Sequence, residues 1–165
     1  MNCTDLEYLT MKFFDARRNI IVPGVHWGIA RWTNNGPGAL HECDVLVLSK
    51  AGYATEVEIK ISKADLIKDK DKIHGHENDL IKHLFFCVPE KLEEAALHHI
   101  PERAGLLVAV KEERVRGTWI GLKIVRAAAT NPKALKWTEK ERMQLMRLGC
   151  LRIVGLKRKL AKNIS

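Results

Sequence analysis

A chain of 165 residues, 46% hydrophobic and 29% charged, is long enough for one domain with its own apolar core. No apolar run approaches the length of a membrane span, and the opening MNCTDLEYLTMKFF lacks a signal-peptide pattern, so a cytoplasmic protein with no membrane partner is expected. The net charge of +8 is concentrated at one end: residues 133–165 hold ten Lys or Arg against two Glu, while residues 1–132 balance. Such asymmetry points to a polyanion partner, with a merely solvated helix face as the plainer alternative.

In chain order, Thr4 and Glu7 form a capping-box pattern, and Leu6, Leu9 and Phe13 supply an apolar stripe, so a first helix is predicted to end near Arg17. A short strand follows in NIIVPGVHWGIARW, then a loop over residues 33–41, TNNGPGALH. Residues 42–48 and 53–61 are predicted strands of a hairpin. Ser62 with Asp65 caps the next helix, KADLIKDKDKI, which HGHEN breaks. LIKHLFFCV is a strand stopped by Pro89, PEKLEEAALHHI a short helix, and AGLLVAV and TWIGLKIVRAA two more strands. Thr138 and Glu141 cap a last helix predicted to stop at Gly149, with a basic helical stretch, LKRKLAKN, beyond it. The order implies an α/β fold, a mixed central sheet flanked by helices in a single domain: residues 1–135 as the core and 136–165 as a basic C-terminal helical extension packed on it.

Cys3, Cys43, Cys87 and Cys150 include no C-x-x-C pair, and their spacing suits neither a zinc site nor a disulfide framework. Cys43 and Cys87 fall in apolar strands, where a free thiol acts as a small hydrophobe. His74, His76, His83, His98 and His99 show no helical metal-binding spacing and are expected on the surface or in loops.

The hairpin carries the chemistry. A three-residue loop ending in Gly52 pairs Ser49 with Tyr53, so Leu46 meets Glu56 and Asp44 meets Glu58. Alternation puts Glu56, Glu58 and Lys60 on one face, and Val57, Ile59 and Ile61 on the other. Two acidic residues paired across strands, with Cβ atoms about 5 Å apart, destabilise a sheet unless a shared proton or a cation offsets them. Converging carboxylates suit Mg²⁺, with Lys60 placed beside the attacking water. The alternative is the outward face of an edge hairpin with a Glu–Lys ladder. Against it, Glu58-Ile59-Lys60 is the only acidic-x-Lys triplet in the chain.

At Asp44, Glu58 and Lys60 the sequence resembles the PD-(D/E)xK nuclease superfamily, and EIKISKADLIKDK, FFCVP and IPERAGLLVAV resemble MmcB-like DNA repair proteins and related phage proteins. The resemblance covers roughly residues 40–113. It implies a restriction-endonuclease-like fold. It implies Mg²⁺ or Mn²⁺ held by Asp44, Glu58 and the Ile59 carbonyl, and DNA phosphodiester hydrolysis with Lys60 positioning water. Such sites often add an acidic residue from the first helix, for which Glu7 is the candidate. Cys43 stands where the motif's name has Pro, and Val110 where the closer relatives tend to have an acidic residue. A nuclease-fold protein that binds DNA without cutting is the alternative the same resemblance allows.

Other candidates are weaker. Glu56 is either a second acidic ligand or a salt-bridge partner, and Glu42 is placed opposite Lys60 as its ion-pair partner. Lys63, Lys68 and Lys72 are candidates for flanking phosphates. Arg31 and Trp32 border the Gly-rich loop as a candidate DNA flap. Lys157, Arg158 and Lys159 are the best phosphate contacts in the tail. A homodimer that cuts both strands is a further expectation with no interface legible in the sequence.

Overall fold

The computed structural model describes residues 1–25, 30–33, 36–69, 78–115 and 117–162. Among them, helix α1 (Cys3–Phe13) is followed by strands β1 (Ile20–Val25), β2 (Ala30–Thr33), β3 (Gly36–Ala39), β4 (Cys43–Leu48) and β5 (Ala54–Ile59). Helix α2 (Lys63–Asp69), β6 (Ile81–Pro89), a 3₁₀ turn (Glu90–Leu92) and α3 (Glu93–His99) come next, then β7 (Gly105–Arg114), β8 (Gly117–Arg126) and α4 (Glu139–Lys162). The α/β class and the mixed central sheet flanked by helices agree with the sequence.

Six strands form the central sheet in the order β1-β4-β5-β6-β7-β8. The β4–β5 hairpin is antiparallel, and β5, β6 and β7 run parallel through crossovers carrying α2 and α3. Parallel strands need such crossovers, and two in succession in one direction place both helices on the same face. That face has two apolar clusters. One gathers Leu46, Leu48, Ala54 and Val22 with Trp137 and Leu145 from the C-terminal segment. The other gathers Leu84, Phe86 and Val108 with Leu66 of α2 and Ala96 of α3. The opposite face is one continuous apolar layer, in which Leu6 and Leu9 of α1 cover Val45, Val47, Val57, Ile59, Cys87 and Leu107.

The predicted hairpin register is the observed one: Ser49 N–H donates to the Tyr53 carbonyl, Leu48 pairs with Ala54 and Leu46 with Glu56. Gly52 takes φ +84°, the left-handed conformation this turn needs. Several boundaries differ. Helix α1 is capped by Asn2, whose side chain accepts from Asp5 N–H while Asp5 accepts from Asn2 N–H, so the capping box lies two residues before Thr4. It also ends at Phe13, because Asp15 turns left-handed at φ 54°. Residues 33–41 are not all loop: β2 and β3 pair as a small separate hairpin. Helix α4 runs through Gly149 instead of stopping there. A Cβ on Gly149 would lie 3.4 Å from Val22 Cγ2, an ordinary van der Waals contact, where the helix passes over β1.

Candidate functional site: a polar row in the central strand

Strand β5 has β4 on one side and β6 on the other, so it is not an edge. Glu56 is fully buried and Glu58 is 2% exposed, which rules out an outward Glu–Lys ladder. Their neighbours across the ladders are Leu46 beside Glu56, Leu84 beside Glu56 and Phe86 beside Glu58. The acidic row therefore separates the two apolar clusters of that face. Charged groups in such a setting persist only when paired and hydrogen-bonded.

Each has a specific partner. Lys60 Nζ contacts Glu58 Oε2 at 2.8 Å, and both side chains are nearly enclosed. The ammonium also lies 5.9 Å from the centroid of the Phe86 ring. The ion pair of Lys60 thus runs along its own strand to Glu58, and Glu42 is exposed. The Lys60 backbone is tied to β6 by an N–H bond to the Cys87 carbonyl, 3.0 Å.

Asp44 lies one residue beyond the last paired position, Val45 with Val57. Its Oδ2 accepts a hydrogen bond from Ile59 N–H at 2.8 Å, so the carboxylate itself continues the link between β4 and β5. This holds Asp44, Glu58, Ile59 and Lys60 together at one end of the hairpin, as the sequence placed them. The start of α1 reaches the same end. Cys3 has its thiol pKa raised by burial first, then by the charges of Glu7 and Asp44, with Lys60 partly offsetting them. Glu7 is half-buried there.

The proposed ligand set at this end, Asp44, Glu58 and the Ile59 carbonyl, is all oxygen, the donor type hard divalent cations take. An ionised carboxylate offers about four acceptor positions, so the Lys60 and Ile59 contacts do not exhaust it. By donor type, these residues suit a small divalent cation.

Glu56 is held differently. His41 Nε2 lies 2.7 Å from its Oε1, and the Cys43 thiol donates to the His41 carbonyl at 3.4 Å. His41, Cys43 and Glu56 bring one nitrogen, one sulfur and one oxygen within 4.8 Å of one another, a group that could hold a metal ion. His41 carries no signal in the sequence, and Cys43 reads there only as an apolar filler. Strand alternation gave no signal for the group: with Leu46 opposite Glu56, positions 41 and 43 fall by alternation on the other face.

The remaining candidates lie apart. Lys63 and Lys68 are exposed on α2, and Lys72, His74 and His76 lie outside the described residues. Arg31 and Trp32 pair with Gly38 and Pro37 in the β2–β3 hairpin, whose side chains also lie outside the description. His83 Nε2 sits 3.1 Å from Thr130 Oγ1, and burial followed by the charge of Lys82 lowers its pKa. Val110 is buried in the α2–α3 cluster. Lys157, Arg158 and Lys159 are exposed on the last turns of α4, which packs chiefly on edge strand β1. Among the described residues no helix is long and apolar enough to cross a membrane.

No protein-family model matches the chain, and no curated protein matches it. Among solved structures, SPO1766, a protein of unknown function from Silicibacter pomeroyi, is similar. The TM-score is 0.59 at 18% identity, over 97% of this chain and 91% of that one. A likeness at this identity concerns the fold.

Proposed function

We propose that the protein is a metal-dependent nuclease that hydrolyses DNA phosphodiester bonds, in DNA repair or in phage DNA metabolism. The observation that carries this reading is the enclosed Glu58–Lys60 pair, with half-buried Asp44 bonded to Ile59 between them, at the end of two central strands where sheet stability alone would favour apolar residues. On this reading the fold is restriction-endonuclease-like and the chain belongs with the PD-(D/E)xK nucleases. Asp44, Glu58 and the Ile59 carbonyl would hold Mg²⁺ or Mn²⁺, which when bound supplies Lewis-acid stabilisation of the charge that develops on the phosphate.

The chain's own residues do the rest. Glu58 fixes the Lys60 ammonium by the 2.8 Å contact. Lys60 Nζ, a donor on a short enclosed tether, orients the attacking water and favours its loss of a proton. Asp44, braced by Ile59 N–H, keeps its carboxylate aimed at the same end. Glu7 at the start of α1 is an accessory acid. Lys63, Arg31 and the tail residues Lys157, Arg158 and Lys159 contact phosphates away from the cut, which makes binding salt-sensitive. A homodimer would place two such sites on opposite strands.

A second reading, a nuclease-fold protein that binds DNA without cutting, is favoured by the direct Lys60–Glu58 contact, since it engages both groups with each other. A cleavage assay separates the two. Plasmid, linear, single-stranded and branched DNA are incubated with Mg²⁺, Mn²⁺ or EDTA. Cutting that needs the metal and disappears in Glu58→Ala and Lys60→Ala is the expected result. Binding without cutting by the wild-type protein moves the assignment to the second reading.

A further inference from the structure

The His41–Cys43–Glu56 group is chemically unlike the carboxylate site beside it. We propose that these three side chains bind a thiophilic divalent transition-metal ion, of which zinc is the type, at a second site distinct from the Asp44–Glu58 end.

The donor set sets the class of ion. Thiolate and imidazole favour zinc and its neighbours, whereas Mg²⁺ and Mn²⁺ take oxygen ligands. The geometry also fits. The three donor atoms already lie within 4.8 Å of one another, and ligand atoms around a tetrahedral zinc stand about 3.5 Å apart for bonds of about 2.0–2.3 Å. His41 Nε2 and Glu56 Oε1, now 2.7 Å apart, need to open by less than an ångström. That is a side-chain adjustment, since both groups sit on rotatable bonds.

Charge supports the same assignment. Glu56 is fully buried and Cys43 is fully buried, in a wall that includes Val25, Leu40 and Leu46. A doubly charged cation with one carboxylate, one thiolate and a neutral imidazole has no net charge, the state a low-dielectric site favours. On binding, the ion takes the proton's place on Cys43 Sγ, and that proton goes to solvent. The proton between His41 and Glu56 leaves their line for Nδ1 of the same ring or for water. Three protein donors leave one position of a tetrahedral ion for water or a further ligand.

The ion has a structural consequence. His41 and Cys43 lie where the chain enters β4, and Glu56 lies mid-way along β5, two positions before Glu58. An ion joining them pins that approach to the strand that carries Glu58 and Lys60. It does so without touching either residue, so the proposal stands apart from the nuclease reading.

The test uses the full chain, purified without metal and titrated with Zn²⁺ or Co²⁺. About one equivalent should bind, and Co²⁺ should give the near-ultraviolet absorption of a thiolate ligand. Zinc should raise the melting midpoint. The absorption should survive Asp44→Asn, a large excess of Mg²⁺ and the double change Cys3→Ser/Cys150→Ser, and should be lost in Cys43→Ser. Should Cys43→Ser fail to fold, the double variant with Cys87→Ala added and the Mg²⁺ competition on wild-type protein still decide. Absence of the thiolate absorption overturns the proposal, as does its loss with Asp44→Asn, with Mg²⁺ or with the two exposed cysteines replaced.

Discussion

The two faces of the central sheet are made by the same strands and have opposite chemistry. Toward α1, Val45, Val47, Val57, Ile59, Cys87 and Leu107 form an unbroken apolar layer. Toward α2, α3 and α4, the layer is split along β5 by Glu56, Glu58 and Lys60. Residues of one strand thus alternate between a face that only stabilises and a face that gives up stability for charge. The contrast is what makes the second face the candidate for function, since apolar residues would pack there at lower cost.

The largest effect should come from breaking the ion pair on the polar face. Lys60→Met leaves Glu58 buried beside Phe86 without its cation, and should cost about 3–5 kcal/mol in urea unfolding. Adding Glu58→Gln to it should restore much of that loss. If Lys60→Met is as stable as wild type, the pair is more hydrated than its burial indicates.

On the apolar face the mechanism is a cavity instead of a charge. Leu107→Ala should cost about 2–5 kcal/mol by the same measurement. It should leave any DNA binding intact in the folded fraction. A loss of binding out of proportion to folding would mean that the two faces are coupled.

The apolar face also has a titration of its own. Burial pushes the Cys87 thiol up from 9.0 to about 11, with the Thr10 hydrogen bond partly opposing this. The folded state therefore keeps a proton that the unfolded chain releases above pH 9. Cys87 contributes full stability below pH 9 and loses it as pH rises to about 11, on the order of 2 kcal/mol. Unfolding measured from pH 8 to 11 should fall more steeply for wild type than for Cys87→Ala. Equal slopes would contradict the buried, protonated thiol.

The smallest effect on stability belongs to the tail. Replacing Lys157, Arg158 and Lys159 by Ala should change stability by less than about 0.5 kcal/mol, since all three are exposed. It should lower DNA affinity and flatten its dependence on salt by about three contacts' worth. An unchanged salt slope would remove the tail from the DNA-binding surface.

Much of the polar row was legible because strand alternation and a glycine turn together fix register. Gly52 set the loop, the loop set Leu46 against Glu56, and alternation then put Glu56, Glu58 and Lys60 on one face. Burial was not legible, since local sequence does not say whether β5 is an edge or a centre; only its pairing with β6 does. Asn2 was missed as the helix cap because Thr4 offers the same side-chain chemistry two residues later. Gly149 was misread because a helix-ending glycine and a glycine inside a helix held by packing on β1 look alike in sequence. His41 was missed because zinc spacings describe ligands on one short segment, whereas Glu56 lies across the hairpin turn.

The measurement that bears most directly on the nuclease assignment is made on Glu58→Gln, which keeps shape and removes charge. Its unfolding free energy, DNA affinity and Mg²⁺-dependent cleavage would be measured beside wild type. The expected result is a folded protein that binds DNA and has lost cleavage by several orders of magnitude. Cleavage at the wild-type rate would contradict it and take Glu58 out of the reaction.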